Sequence, residues 1–289
     1  MRTPDEVLNE IANWAQRNEA VRVVILTGSR AALNAGIDLF SDYDIEIAVT
    51  DTGSFLGNEE WLLAFGKPLA IIRIDEDFTM RMVIYKDYIR IDFRIYSVKD
   101  FIQRNIQAML PQHLNNGYKI LLDKDQITQD LQSPAYNAYV ISKPSKEAFS
   151  AIVADFLWDT TYVAKSLWRD ELFYAKYMFD NIIRTSYLEK IIEWYISMQH
   201  NWQISTNKHG RFFKYYLDAE TFRELKDTFA GSEREDSWNA LFATLNLFRR
   251  LAMIIAAELN YLYPKTMDTE ITAYLNKIKT VDIRATDIK

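Results

Sequence analysis

Residues 23–49 contain two short apolar runs separated by a glycine-serine turn, and this segment constrains the fold more than any other part of the chain. The run Val23-Val24-Ile25-Leu26 is rich in β-branched residues, which is typical of a buried strand. Gly28 can adopt a positive φ angle and permits the close approach of another group. Ser29 lies where a strand passes into a short helix, and the free backbone amides of such a turn can bind an anion. The segment therefore predicts a strand, an anion-binding turn and a second strand.

The second strand begins with two carboxylates in the motif Asp42-Tyr43-Asp44. Side chains alternate between the two faces of a strand, so Asp42, Asp44 and Glu46 share one face. Two carboxylates about 7 Å apart on that face repel each other unless a cation lies between them. Oxygen ligands with room for substrate phosphates favour Mg²⁺. The pattern therefore predicts a magnesium site at the start of this strand.

A third carboxylate is supplied by Asp92. Residues 88–96 alternate between apolar and polar side chains, and Asp92 lies on the polar face. The sequence leaves open whether Asp92 ends the preceding strand or belongs to a separate strand after a turn at Lys86-Asp87. If its strand pairs beside that of Asp42 and Asp44, the three carboxylates converge. That is the geometry of a two-metal displacement at phosphorus, with ions roughly 3.5–4 Å apart.

The strand, the Gly28-Ser29 turn, the Asp42-Tyr43-Asp44 motif and the later strand aspartate together resemble the nucleotidyltransferase superfamily typified by polymerase β. Longer segments resemble the aminoglycoside 6-adenylyltransferases, which modify streptomycin. The segments that carry this resemblance are Ile25-Leu26-Thr27-Gly28-Ser29-Arg30-Ala31, Asp42-Tyr43-Asp44, Leu121-Leu122-Asp123-Lys124-Asp125, Thr161-Tyr162-Val163-Ala164-Lys165, Leu167-Trp168-Arg169-Asp170-Glu171 and Lys208-His209-Gly210-Arg211. They occur in the family's order from near Met1 to about Pro264. Glu46 departs from the family pattern, which has an uncharged residue at that position.

The resemblance implies transfer of AMP from ATP to a hydroxyl of streptomycin, with ATP as co-substrate and two Mg²⁺ ions. Asp42 and Asp44 would bind both ions. Asp92 would be the third ligand of the acceptor-side ion and a candidate general base. Gly28 and Ser29 would bind the β- and γ-phosphates through backbone amides and the serine hydroxyl.

Several cations are candidates for contact with the phosphates. Arg30 is expected to pair either with phosphate or with an acid on its own helix. Lys165 is a candidate for neutralising the leaving pyrophosphate, against the alternative of a solvated helix face. Lys208, His209 and Arg211 are a second possible source of this charge.

The acceptor pocket is expected to be acidic and aromatic, because streptomycin carries guanidinium groups. Asp155 and Asp159 are four residues apart on one helix face, Trp158 lies beside them, and Asp170 and Glu171 follow further along. The alternative for each of these residues is a solvated helix face with core aromatics.

Composition excludes several classes of site. The chain of 289 residues contains no cysteine, which excludes disulfides, thiolate zinc sites and a cysteine nucleophile. No apolar run is expected to reach the ~18 residues of a membrane-spanning helix. The formal net charge of −6 argues against a long nucleic-acid footprint and suits a cationic small molecule. We therefore expect a cytoplasmic protein without nucleic-acid or membrane partners, present as a monomer or weak dimer.

The chain is expected to fold as two domains. Residues 1–133 predict an α/β (α+β) nucleotidyltransferase domain with a mixed sheet, 134–145 a linker, and 146–289 an all-α helical bundle that binds the acceptor. Within the first domain, residues 34–41 predict a loop and 75–78 a turn.

Three alternatives to streptomycin adenylylation stay open. One is nucleotidyl transfer to a different small-molecule or protein hydroxyl. Another is a non-catalytic nucleotide-binding or partner-binding module, and the third is a nucleic-acid polymerase. The three carboxylates disfavour the second, and the acidic balance disfavours the third.

Overall fold

The computed structural model describes residues 2–33, 36–76, 78–137 and 139–285. The chain divides into two compact units, Met1–Ala138 and Tyr139–Lys289. This division falls inside the segment 134–145 that the sequence predicts as a linker. The predicted loop at 34–41, the turn at 75–78, the linker at 134–145 and the end of the helical domain include residues outside the described ones: Asn34, Ala35, Asp77, Ala138 and residues 286–289.

The first unit is built on a six-stranded mixed sheet with the order β3-β4-β5-β2-β1-β6. Only the central β2–β5 pair is parallel among these neighbours; the others are antiparallel. The strands are β1 (Val21–Thr27), β2 (Tyr43–Val49), β3 (Pro68–Asp75), β4 (Thr79–Tyr85), β5 (Arg90–Ser97) and β6 (Lys119–Asp123).

Short helices surround this sheet. At the start of the first helix, Thr3 is the N-cap, the Glu6 side chain closes the capping box, and Pro4 occupies the first turn. The α-helices are α1 (Pro4–Arg17), α2 (Thr52–Gly57), α3 (Val98–Phe101) and α4 (Gln112–Asn115); Gly28–Arg30, Glu60–Phe65 and Ile127–Asp130 are 3-10 turns, and Ile102–Ile106 is a π-helical turn.

The two faces of the sheet are buried by different groups. On one face, Val7 and Ile11 of α1 pack in a single cluster with Tyr43, Ile45 and Ile47 of β2. The opposite face is covered by a smaller cluster that includes Val23, Ile25, Ala48, Phe101 and Leu114. The alternation predicted for β2 is therefore present, and it turns Asp44 and Glu46 away from the α1 side.

The second unit is helical, and residues 139–285 contain no strand. The fold class predicted from the sequence, a mixed-sheet α/β (α+β) domain followed by an all-α bundle, is confirmed. The helices are α5 (Lys146–Trp168), α6 (Leu172–Lys176), α7 (Glu189–Gln199), α8 (Phe213–Tyr216), α9 (Ala219–Asp227), α10 (Arg234–Leu259) and α11 (Lys265–Thr280); Tyr177–Leu188 is a π-helical link between α6 and α7, and Lys208–Gly210 is a 3-10 turn.

Helix α10 lies in the core of this bundle. Its Phe248 stacks on Phe156 of α5 with ring centroids 3.6 Å apart. In the described part of the chain it is the one helix long and apolar enough to cross a membrane, so the expectation that no run reaches that length is wrong. The physical reason is its packing, because 56% of the apolar window is buried inside the protein and a central bundle helix is apolar on most sides.

Candidate active site

The turn after β1 is shaped around the carboxylate of Asp44. Gly28 has a φ of +67°, and its carbonyl accepts hydrogen bonds from the amides of Ala31 and Ala32 at 3.2 and 3.0 Å. A Cβ atom on Gly28 would lie 1.8 Å from Asp44 Oδ2. The close approach that the sequence predicts at Gly28 is therefore, within the protein itself, the approach of the Asp44 carboxylate.

Arg30 fixes the backbone that leads into β2. Its Nε donates to the carbonyls of Ser41 and Asp42, both at 3.2 Å, and its Nη2 donates to the Ser41 carbonyl at 2.7 Å. The guanidinium lies 3.9 Å from the ring centroid of Tyr43. Among the described residues Arg30 thus pairs with backbone carbonyls and a ring, not with an acid of its own segment. Its predicted contact with phosphate stays a prediction.

The strands β2 and β5 arrange their polar side chains in three rows. Asp92 belongs to a separate strand, which resolves the alternative left open by the sequence, and Asp44 faces it across the parallel pair. One row further along, Glu46 faces Arg94. One row earlier, Arg90 Nη1 lies 3.4 Å from Asp42 Oδ2. The middle row is the only one of the three in which like charges face each other.

Both carboxylate oxygens of Asp92 accept hydrogen bonds from Arg90. Its Nε and Nη2 donate to Asp92 Oδ1 and Oδ2 at 2.9 and 2.7 Å, and the Asp92 side chain is only 6% exposed. Hydrogen bonding to Asp92 raises the pKa of Arg90. The sequence places Arg90 on the correct face, but the paired side-chain geometry is visible only in the structure.

Burial and neighbouring negative charges disfavour the ionised forms of the other two carboxylates, Asp42 and Asp44. Burial raises the pKa of Asp42, and Arg90 offsets part of that effect. Burial also raises the pKa of Asp44, and the charges of Asp92 and Asp42 raise it further. A cation placed beside Asp42 and Asp44 would relieve both effects, and an all-oxygen donor set suits Mg²⁺.

The three carboxylates of this cluster differ in how many of their oxygens are available to a metal ion. Asp42 and Asp44 offer oxygens that no ion pair within the described residues uses, apart from the 3.4 Å contact of Asp42 with Arg90. Across residues 2–33, 36–76, 78–137 and 139–285, no three carboxylate or imidazole groups lie at a spacing that would hold a metal ion. At this site both oxygens of Asp92 accept hydrogen bonds from Arg90.

Glu46 is buried one row beyond the facing pair of Asp44 and Asp92. Its side chain is 3% exposed, and its Oε1 lies 3.7 Å from Arg94 Nη1. His113 Nε2 lies 2.6 Å from the same oxygen, although it is not aligned as a hydrogen bond. Sequence reasoning flagged Glu46 as unusual but missed His113, because these two residues are distant in the chain and share no motif.

In the helical unit, α5 carries an exposed acidic and aromatic stripe. Asp155, Trp158, Asp159 and Tyr162 follow helical spacing along one face. Trp158 is 59% exposed, and Asp159 Oδ2 accepts a hydrogen bond from the hydroxyl of Tyr187 at 2.7 Å. Burial and the bond to Asp159 raise the pKa of Tyr187. This face therefore combines negative charge with accessible ring surface.

The other predicted residues of this half lie elsewhere. Lys165 ends the same stripe, with its Nζ 4.6 Å from the ring centroid of Tyr162. Asp170 and Glu171 follow the end of α5, about three helical turns beyond Asp159, so the structure does not gather them with Asp155 and Asp159. Glu171 instead donates its amide to the Ser166 carbonyl at 2.9 Å.

His209 and Arg211 line a separate cleft of about 490 Å³ in the helical unit. His209 Nδ1 lies 3.4 Å from Glu189 Oε1. Lys208 lies beside Tyr139, with its Nζ 5.6 Å from the ring centroid. The residues of the second candidate source of positive charge therefore have different neighbours. Lys208 lies beside Tyr139, whereas His209 and Arg211 line the cleft.

The mixed sheet, the glycine turn packed on Asp44 and the facing carboxylates of β2 and β5 define a nucleotidyltransferase. A sequence model of the streptomycin adenylyltransferase family matches residues 1–278. The chain belongs to that family and is an adenylyltransferase.

Two sequence relatives agree with this assignment. An aminoglycoside 6-adenylyltransferase from Campylobacter jejuni is 30% identical over 286 residues, covering 96% of each chain. One from Bacillus subtilis (strain 168) is 29% identical over 290 residues, covering 96% of this chain and 98% of the relative. A crystal structure of an aminoglycoside 6-adenyltransferase from Bacillus subtilis is 25% identical with a TM-score of 0.48, covering 97% of this chain and 100% of that chain.

Proposed function

We propose that this enzyme transfers AMP from ATP to a hydroxyl of an aminoglycoside, with the 6-hydroxyl of streptomycin as the acceptor, and that it thereby confers resistance. The observation that carries the proposal is the register of β2 on β5, which sets Asp44 opposite Asp92 beside the Gly28 turn. The family and the names of the relatives support the acceptor class. We place the reaction in the cytoplasm, where ATP is available.

The first unit supplies the nucleotide side of the site in this proposal. The backbone amides of the Gly28–Arg30 turn and the hydroxyl of Ser29 bind the triphosphate. Asp42 and Asp44 would hold Mg²⁺, and the second ion expected from the sequence would need an oxygen of Asp92. When bound, Mg²⁺ offsets phosphate charge and stabilises the attacking and leaving oxygens.

Asp92 serves as the general base. It takes the proton of the acceptor hydroxyl while that oxygen forms a bond to the α-phosphorus, and the bond between the α-phosphorus and the bridging oxygen breaks to release pyrophosphate. Each carboxylate oxygen has two acceptor positions, so Asp92 can accept a proton while Arg90 fixes its orientation. Arg90 therefore acts as a positioning residue.

The α5 stripe supplies the acceptor side. Asp155 and Asp159 pair with the guanidinium groups of streptomycin, and the exposed Trp158 packs on them. Asp170 and Glu171 form a second acidic group further along the chain. Lys165, or the group of Lys208, His209 and Arg211, meets the charge of the leaving pyrophosphate.

Pyrophosphate release from MgATP tests this function. We expect release with streptomycin and none with kanamycin or spectinomycin. In Asp159→Asn the KM for streptomycin should rise about tenfold, since one charge-assisted hydrogen bond is lost, while the KM for ATP stays unchanged. Asp170→Asn, just beyond the end of α5, is the comparison variant, and a larger effect there would place the acceptor near the end of that helix.

Pyrophosphate release with kanamycin or spectinomycin, but not with streptomycin, would show that streptomycin is not the acceptor and that one of the other two is. No release with any of them, from a protein that binds MgATP, would remove aminoglycosides as a class. A small-molecule or protein hydroxyl of another kind would then be the acceptor to seek.

A further inference from the structure

We propose that Arg90 takes the place of the acceptor-side metal ion, so that the site binds a single divalent cation at Asp42 and Asp44 while Asp92 keeps Arg90 as its partner. This inference rests on the proposed nucleotidyl transfer and changes how its charges are balanced. It also departs from the two-ion prediction made from the sequence.

The contacts of Asp92 are the first argument. Both of its oxygens accept from Arg90, at 2.9 and 2.7 Å, in the paired geometry that guanidinium and carboxylate groups prefer. The Asp92 side chain is 6% exposed and Arg90 is 36% exposed, so the guanidinium lies on the accessible side of the carboxylate. A divalent cation at Asp92 would have to displace Arg90 or sit against its positive charge.

The charge count is the second argument. Asp42, Asp44 and Asp92 carry three negative charges, and Arg90 contacts two of these carboxylates. One divalent cation balances the two negative charges that remain. Asp44 faces Asp92 across the strand pair and, among the described residues, forms no ion pair, so the position for that cation is beside Asp44.

The strand register is the third argument, because it prevents Arg94 from acting in the same way. Arg94 lies on the same face of β5, but it faces Glu46 at 3.7 Å and its guanidinium lies 4.9 Å from the ring centroid of Phe78. Arg90 is thus the one arginine of this strand that bonds to Asp92. Arg94 provides a matched control.

Counting bound Mn²⁺ by electron paramagnetic resonance tests the inference without turnover. The full chain is titrated with Mn²⁺ alone and with α,β-methylene ATP, after subtraction of the ions that the free analogue binds. We expect one ion per chain, with any second ion at least tenfold weaker. Arg90→Gln should bind a second ion at least tenfold more tightly than wild type, whereas Arg94→Gln and Arg90→Lys should match wild type.

Asp92→Asn gives an independent measurement if Arg90→Gln does not fold. If Asp92 is no metal ligand, this variant keeps one ion of wild-type affinity, and a loss of count or affinity overturns the inference. Two ions of similar affinity in wild type, or an unchanged count in folded Arg90→Gln, also overturn it and leave the proposed function intact. Wild type that binds no Mn²⁺ in either titration overturns both.

Discussion

At the scale of single residues, the ionised carboxylate of Asp44 lowers the stability of the free enzyme. It faces Asp92 across two paired strands, and like charges directly opposite each other destabilise a sheet. Burial and the charges of Asp92 and Asp42 raise the pKa of Asp44 above its ordinary value of 3.8. The folded state therefore binds the proton of Asp44 more tightly than the unfolded state does, and ionisation of Asp44 lowers the free energy of unfolding.

Asp44→Asn should stabilise the free enzyme while abolishing transfer. At neutral pH we expect a gain of up to about 1 kcal/mol, because the variant removes one of two facing charges. The folded pKa lies above the unfolded one, so the advantage is absent below the ordinary pKa, appears as pH rises through it and is complete above the raised pKa. Urea unfolding of both proteins from acid to neutral pH measures this difference.

The exposed Glu76→Gln serves as the control and should show no such pH-dependent gain. Saturating Mg²⁺ should narrow the gap between wild type and Asp44→Asn, since the cation relieves the same repulsion. An Asp44→Asn protein less stable than wild type at neutral pH would contradict this account.

At the scale of elements, the sequence predicts what is encoded locally. The capping box of Thr3 and Glu6, the alternation of β2 and the glycine turn each follow from residues within a few positions of one another. The pairing of β2 with β5 could be stated only as a condition, because long-range register depends on the whole sheet. The bidentate contact of Arg90 and the position of His113 depend on that register and were not predicted.

Helix α11 (Lys265–Thr280) is the longest element to which the sequence analysis assigned no helix. Met267, Ile271, Leu275 and Ile278 recur at helical spacing and pack in or against the bundle core. A polar network that the sequence does not indicate attaches α11 as well: Asp268 accepts bonds from the Arg249 guanidinium of α10 and, at 2.9 Å, from the Tyr263 hydroxyl. A carboxylate in an exposed pattern gives no sequence signal that it will be buried.

Asp268→Asn should therefore destabilise the helical unit by about 1–3 kcal/mol, because it leaves the half-buried Arg249 without its charged partner. Burial alone would raise the pKa of Asp268, but bonds from Arg249 and Tyr263 outweigh it and hold the pKa below 3.8. The stabilisation is thus complete above the ordinary pKa and is lost as pH falls through the lower folded value. Urea unfolding followed by far-UV circular dichroism at neutral and acid pH tests both points.

Glu235→Gln is the matched control for this prediction. Glu235 also joins α10 to α11, through Lys279 at 2.6 Å, but its side chain is 66% exposed. An exposed pair is worth about 0–1 kcal/mol, so this variant should stay close to wild type. Equal losses for Glu235→Gln and Asp268→Asn would show that burial does not distinguish the two contacts.

At the scale of the whole molecule, each unit has its own hydrophobic core, and the chain as a whole carries a negative net charge. The clusters on the two faces of the sheet belong to the first unit, and the bundle core belongs to the second. The formal net charge is −6. A field of this sign attracts a cationic acceptor and repels MgATP, so the two substrates should respond to salt in opposite directions.

We expect kcat/KM for streptomycin to fall severalfold as ionic strength rises from about 0.01 to about 0.1 M, because the screening length shortens from about 30 to about 10 Å. Over the same range kcat/KM for ATP should hold or rise, since screening weakens a repulsion. Initial rates of pyrophosphate release, with each substrate varied in turn, measure both constants. A fall of equal size for both substrates would mean that salt acts on the fold or on the shared carboxylate cluster, and the long-range charge of the molecule would then have no part in selecting the acceptor.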